Sequence, residues 1–188
     1  MSASRQQPLT LEAFLDWERR QELRYEFDGI GPVAMTGGTM AHSVVATNLV
    51  RALEDRLRGT PCRAFRGDLK IIAAGKIRYP DAIVTCSPVS QDADILPDPV
   101  VVFEVLSAST ARIDRITKNE EYRATPSIRR YVMLEQAAVA ATVFVRADTD
   151  WVGHVLTGAI ALDLPEIGIS VPLAELYAGL ELASAAAG

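Results

Sequence analysis

Only two cysteines and two histidines occur in the 188 residues. Cys62 and Cys86 show no CxxC spacing, and His42 and His154 stand far apart, so neither a zinc cluster nor a disulfide framework is expected. Two isolated thiols of this kind fit a reducing cytoplasm. No apolar run is long enough to span a bilayer and no N-terminal secretory segment is visible, so no membrane partner is expected. Positive charge is not in excess: 19 Lys and Arg stand against 24 Asp and Glu, a net charge of −5. That balance argues against a histone-like, charge-driven nucleic-acid binder but leaves room for a local basic groove. Internal repeats are absent.

What is present is ordinary globular material, 49% apolar and 23% charged, in a length that suits one domain with a substantial core. Residues 1–8 read as a flexible tail, 9–180 as the folded domain and 181–188 as an Ala-rich tail. Thr10 can cap a helix with Leu11, Phe14 and Leu15 on one stripe, running to near Leu23. Short strands follow at Arg24 and Val33. Thr39 caps a longer helix with Val45, Leu49, Ala52, Leu53 and Leu57 at helical spacing, stopped by Gly59. From Cys62 the period is two, giving strands at 63–65, 68–72, 77–79, 83–84 and 100–106. A polar, solvent-facing helix is predicted from about Asp114 to Ala124, ended by Pro126. A strand at 131–134, a β-meander at 141–146, 151–156 and 160–164, and a short helix at 172–177 complete the chain. Helices flanking a central mixed sheet make this an α/β or α+β fold.

Two of these strands carry a carboxylate where an apolar residue would be usual. Alternation puts Asp81, Ile83 and Thr85 on one face of the first, and Val100, Val102, Glu104 and Leu106 on one face of the second. Paired in register, the strands would bring Asp81 and Glu104 together at one edge of an apolar sheet. Like charges held together repel, and a divalent cation with oxygen ligands, Mg²⁺ or Mn²⁺, would relieve the cost. The plainer reading makes Asp81 a turn residue after Pro80 and Glu104 a strand-end charge paired with an arginine. Glu26 is a third candidate, or else a solvated strand-end charge. Lys118, one turn after Asp114, is the fourth; it would assist a metal-bound water or a phosphoryl transition state, or form a surface pair worth about 0.3 kcal/mol.

Leu23-Arg24-Tyr25-Glu26, Gly37-Gly38-Thr39 with His42, Gly67-Asp68-Leu69-Lys70, Arg78-Tyr79-Pro80-Asp81, Phe103-Glu104-Val105-Leu106-Ser107 and Lys118 with Tyr122-Arg123 form an ordered set. Together they resemble the PD-(D/E)XK nuclease superfamily, and more closely the Uma-two type of restriction endonucleases, over about residues 9–177. The resemblance implies a restriction-endonuclease-like fold and a metal-dependent endonuclease. Asp81, Glu104 and the main-chain carbonyl of Val105 would ligate Mg²⁺ or Mn²⁺, with Glu26 as the early acid. The family's lysine, two residues after the second acid, is replaced here by Leu106. Lys118 would have to supply it, with Lys70 the alternative, since Asp68 and Lys70 share one strand face. The turn after Glu26, Phe27-Asp28-Gly29, is also one residue short.

His42, in the first turn of the long helix, either contacts a substrate phosphate or caps and packs. Arg51, Arg56, Arg58, Arg63 and Arg66 form either a DNA-backbone surface or a solvated helix face. Two functions remain: an endonuclease acting on DNA, with a homodimer supplying two cuts, or a nuclease-fold module that binds or assembles without chemistry. The acid pair and Lys118 favour the first; Leu106 and the acidic net charge favour the second.

Overall fold

Three strands of this chain, 82–85, 99–105 and 130–134, are buried on both faces, and the rest of the fold supplies what covers them. The computed structural model describes residues 8–35, 37–107 and 111–182; of the expected tails at 1–8 and 181–188, all but residues 8, 181 and 182 lie outside the described residues. The elements are α1 (Leu11–Glu18), β1 (Tyr25–Phe27), β2 (Pro32–Ala34), α2 (Met40–Leu57), β3 (Arg63–Arg66), β4 (Ile71–Ala73), β5 (Lys76–Arg78), β6 (Ala82–Thr85) and β7 (Pro99–Val105). Then come α3 (Ala111–Ile113), a π-helical turn (Asp114–Lys118), α4 (Asn119–Ala124), β8 (Arg130–Leu134), β9 (Ala140–Ala147), β10 (Asp150–Thr157), β11 (Ala161–Leu164) and β12 (Ile169–Pro172). Single 3₁₀ turns occupy Pro165–Ile167 and Leu173–Tyr177.

The central sheet has the order β10-β9-β8-β7-β6-β3 and is mixed: β7 and β8 run parallel, every other pair antiparallel. A second sheet, β2-β1-β5-β4, leans against it, and β11 pairs with β12 as a two-stranded ribbon. The meander predicted for 141–164 therefore breaks after β10, where β11 leaves the sheet to pair with β12.

Alternation along the strands decides the two sides. Ala82, Val84, Val101, Phe103, Val132 and Leu134 face Val45, Leu49 and Leu53 of α2. Ile83, Val102, Leu106, Tyr131 and Met133 pack with Tyr122 on the opposite side, beneath the helical segment 111–124. Burying each large aliphatic chain contributes about 1.5–3 kcal/mol. Glu104 shares its face with Val102 and Leu106, which turns its carboxylate toward that helical segment. The Thr39 hydroxyl accepts from His42 N–H at 3.1 Å and caps α2, as its sequence position predicts.

Three local expectations are corrected. Helix α1 stops at Glu18, not near Leu23, because the chain must turn back for Tyr25 to pack edge-on against Trp17, ring centroids 4.8 Å apart. Residues 67–70 form a turn, with Lys70 bridging to Ile95, so Asp68 and Lys70 do not share a strand. Cys62 and Cys86 are joined in a disulfide. Register explains the pairing: Arg63 lies opposite Thr85, so the residues just beyond them face each other. Free thiols therefore no longer argue for a reducing compartment.

The disulfide closes a loop spanning 24 positions; a constraint of that length stabilises by about 3 kcal/mol through the unfolded chain. Unfolded under non-reducing conditions, the protein should show no titratable thiol. Cys62→Ser/Cys86→Ser should melt roughly 5–10 °C lower. Two thiols detected before reduction, or unchanged melting, would remove the bond from the account.

Candidate functional site

Lys118 is the centre of the site, and it is buried: only 7% of it is exposed. Its ammonium lies 2.9 Å from Glu104 Oε1, 3.2 Å from Glu26 Oε1 and 3.2 Å from Asp114 Oδ1. The expected solvent-facing helix is thus corrected: Asp114, Lys118, Asn119, Glu121 and Tyr122 are all buried. The π turn helps. In an α-helix, residues four apart drift by roughly 40° around the axis. A wider turn over Asp114–Lys118 reduces that drift, and Asp114, Lys118 and Tyr122 all aim at one place. Tyr122 donates its hydroxyl to Glu104 Oε1 at 2.9 Å.

Asp81 stands directly before β6. Its Oδ2 accepts the Val105 N–H at 2.7 Å, which locks it one residue from Glu104 on the neighbouring strand. His42 of α2 lies against both oxygens, Nε2 at 3.1 Å from Oδ1 and 3.2 Å from Oδ2. The hydrogen bond to Asp81 raises the affinity of His42 for its proton, against partial burial. Gly38 is required beside it, since a Cβ there would stand 2.8 Å from His42 Nδ1.

Glu26 on β1 is held from behind. Arg78 donates to its Oε2 at 3.0 Å and Tyr79 N–H to its Oε1 at 3.2 Å. Arg78 in turn makes a two-pronged pair with Glu121, at 2.6 and 2.8 Å, which Lys76 joins at 2.8 Å. The shortened turn after Glu26 does not displace it: Asp28 accepts from Ile30 and Gly31 and closes the hairpin.

Glu26, His42, Asp81, Glu104, Val105 and Lys118 all line one cavity of about 320 Å³. Lys70 is not among its walls. It is buried against Glu18 at 2.7 Å and Asp94 at 3.1 Å, so the expectation that it reaches this cleft is corrected. The five-arginine cluster also disperses. Arg56 pairs with Glu175, Arg58 with Asp55, and Arg63 sits over Phe65. Asp114, read from sequence only as a surface partner of Lys118, lines the cavity at 1% exposure. Its Oδ1 accepts no hydrogen bond, although it lies close to Lys118. The signal for it was its i,i+4 position relative to Lys118, which does not distinguish a buried pair from a solvated one.

Four carboxylates thus share the cavity with one ammonium. The Glu104 carboxyl is raised to about 8: burial is the largest cause, Lys118 pulls against it, and Asp81, Asp114 and Glu26 add to the rise. Burial would lower Lys118, but Glu104, Glu26 and Asp114 outweigh it and hold the ammonium above its ordinary range. In an isolated ion pair the acid would shift down. Here both partners hold their protons more tightly: burial is the main cause for Glu104, and the neighbouring carboxylates together outweigh burial for Lys118.

A carboxyl raised in this way favours the folded state below its unfolded value and loses that contribution as pH rises through about 8. His42, also raised, acts in the same direction. In chelator, stability should therefore fall between pH about 5 and 8 by at least about 1 kcal/mol. Glu104→Gln, which keeps an acceptor for Tyr122, should flatten that slope. Melting curves rising with pH over this range would rule out a surplus of negative charge.

Comparison with known proteins gives the family and the fold. Over residues 11–174 the chain matches the Uma2 family, described as "Putative restriction endonuclease". It is 32% identical over 176 residues to the "Uncharacterized protein slr1290" of Synechocystis sp., covering 92% of this chain and 93% of that one. A second Synechocystis protein, "Uncharacterized protein sll1609", is 26% identical over 133 residues, 68% of this chain and 75% of that one. Among solved structures, a nuclease described as "putative" and "belonging to DUF820", from Anabaena variabilis, superposes with a TM-score of 0.74. That likeness covers 90% of this chain and 98% of that one at 17% identity, and it is a likeness of fold. A family match along most of the chain makes this protein a member of the Uma2 family.

Proposed function

We propose that the protein is a Mg²⁺- or Mn²⁺-dependent endonuclease that hydrolyses phosphodiester bonds of DNA. The observation that carries this reading is the convergence of Glu26, Asp81, Glu104 and Lys118 on one cavity, from four different elements. The donor set fits a hard cation: surplus carboxylate oxygens and a buried Asp114 oxygen without a hydrogen bond. Among the described residues no three acidic, histidine or cysteine side chains are grouped as a metal cage. Asp81 and Glu104 would instead hold the ion with the Val105 carbonyl, which leaves the strand on the same side as the Val105 N–H bonded to Asp81. Water would complete the shell, the usual arrangement for Mg²⁺.

A divalent ion bound there would supply an activated water and Lewis acidity at phosphorus. The chain supplies the rest. Val105 N–H and His42 fix the Asp81 rotamer, and Tyr122 and Lys118 fix Glu104. Arg78 holds Glu26, which together with Asp114 keeps the Lys118 ammonium facing the cavity. There the ammonium can offset the charge of phosphoryl oxygens. A homodimer would bring two such sites to a duplex. The second reading, a module that binds nucleic acid without cutting, is favoured by one feature: Lys118 is already matched by three carboxylates, and Leu106 fills the family's lysine position as core.

Supercoiled plasmid should be nicked with Mg²⁺ or Mn²⁺ and left intact in chelator. Asp81→Asn, which can still accept from Val105 N–H, should lower the rate by about 10²-fold or more. Millimolar Mn²⁺ should raise the melting temperature of wild type and much less that of the variant. A protein that retards duplex on a gel yet never nicks it would establish the second reading.

A further inference from the structure

A second cavity, about 610 Å³, opens beside the acidic pocket and shares Gly38, His42 and Asp81 with it. Its remaining walls carry Arg24, Arg66 and Asp68. Both arginines are exposed, and neither forms an ion pair with any described residue, Asp68 included. What sets them apart from the other arginines of the described residues is their place: no other arginine lines either cavity.

Each arginine is also tied to one of the candidate acids. Arg66 lies opposite Ala82 in the β3–β6 ladder, next to Asp81. The following Gly67 presses on this strand so closely that a Cβ would stand 2.9 Å from the Pro80 carbonyl oxygen. Arg24 precedes Glu26 by two residues and receives the Met35 N–H on its carbonyl, so alternation puts both side chains on one face, roughly 7 Å apart. The sequence motifs that the acidic pocket leaves unused, around Arg24 and Gly67-Asp68, meet here.

We propose that this cavity cradles the sugar–phosphate backbone of the same strand whose scissile phosphate enters the acidic pocket, with Arg24 and Arg66 as the phosphate clamps. The inference rests on the nuclease reading above. A pocket with four carboxylates repels a polyanion, so affinity must come from beside it, and the guanidinium fork matches phosphate geometry. Contacts of this kind set register and affinity and carry no sequence preference.

The test measures anisotropy of a fluorescent short duplex bound to the full chain, with Ca²⁺ replacing the catalytic ion so that no strand is cut. Arg24→Gln/Arg66→Gln should weaken binding on the order of tenfold or more and reduce the salt slope by about 2. It should keep the Mn²⁺-induced rise in melting temperature, which reports an intact acidic pocket. Arg58→Gln/Arg129→Gln removes the same charge at the C-terminal end of α2 and at the start of β8, and should change binding little. Equal weakening by both double variants would overturn the cradle and leave the nuclease reading standing. A wild type that binds no duplex would overturn both.

Discussion

One ammonium set among three carboxylates, of which Glu104 and Asp114 are buried and Glu26 nearly so, is the constraint on which this site depends. A charge as buried as Lys118 survives only if its partners are held as rigidly as it is. Each partner comes from a different part of the chain: Glu104 from the doubly buried strand β7, Glu26 from the side sheet, Asp114 from the π turn. Each has its own support, Tyr122 for Glu104 and Arg78 with Tyr79 for Glu26. Arg78 then couples Glu26 to Glu121 and Lys76, so the side sheet and α4 are fastened through the same network. Removing one partner of such a cluster leaves the others uncompensated. That makes the segment 111–124 a structural member and a wall of the cavity at once.

The parts of this arrangement that were legible in the sequence are those set by short-range rules. Alternation in 81–85 and 100–106 placed Ile83, Val102, Glu104 and Leu106 on one face, and Thr39 marked the start of α2, because both signals act over a few residues. What could not be read depends on partners distant in the chain. Asp114, Lys118, Asn119 and Glu121 have the composition of a solvated helix, and only tertiary pairing with Glu104, Glu26 and Arg78 makes burial affordable. Lys70 looked available for the cleft because Glu18, its partner at 2.7 Å, is 52 residues away. Cys62 and Cys86 become neighbours only through the β3–β6 register, which the spacing of two cysteines does not reveal.

On the nuclease reading proposed above, the leucine at position 106 has a physical explanation. Leu106 shares a face with Glu104 but is 3% exposed and packs with Ile83, Val102 and Tyr131 in the second core cluster. A lysine there would need a route for its ammonium out of that cluster, toward Glu104. Lys118 reaches the same carboxylate from the covering helix, where its stem lies against the core and its head faces the cavity. That solution has a geometric requirement. A regular α-helix spreads Asp114, Lys118 and Tyr122 around its axis, whereas the π turn keeps them aligned on Glu104. The irregularity in this helix is thus the backbone counterpart of the leucine at 106: one moves the cation off the strand, and the other returns it to the acids.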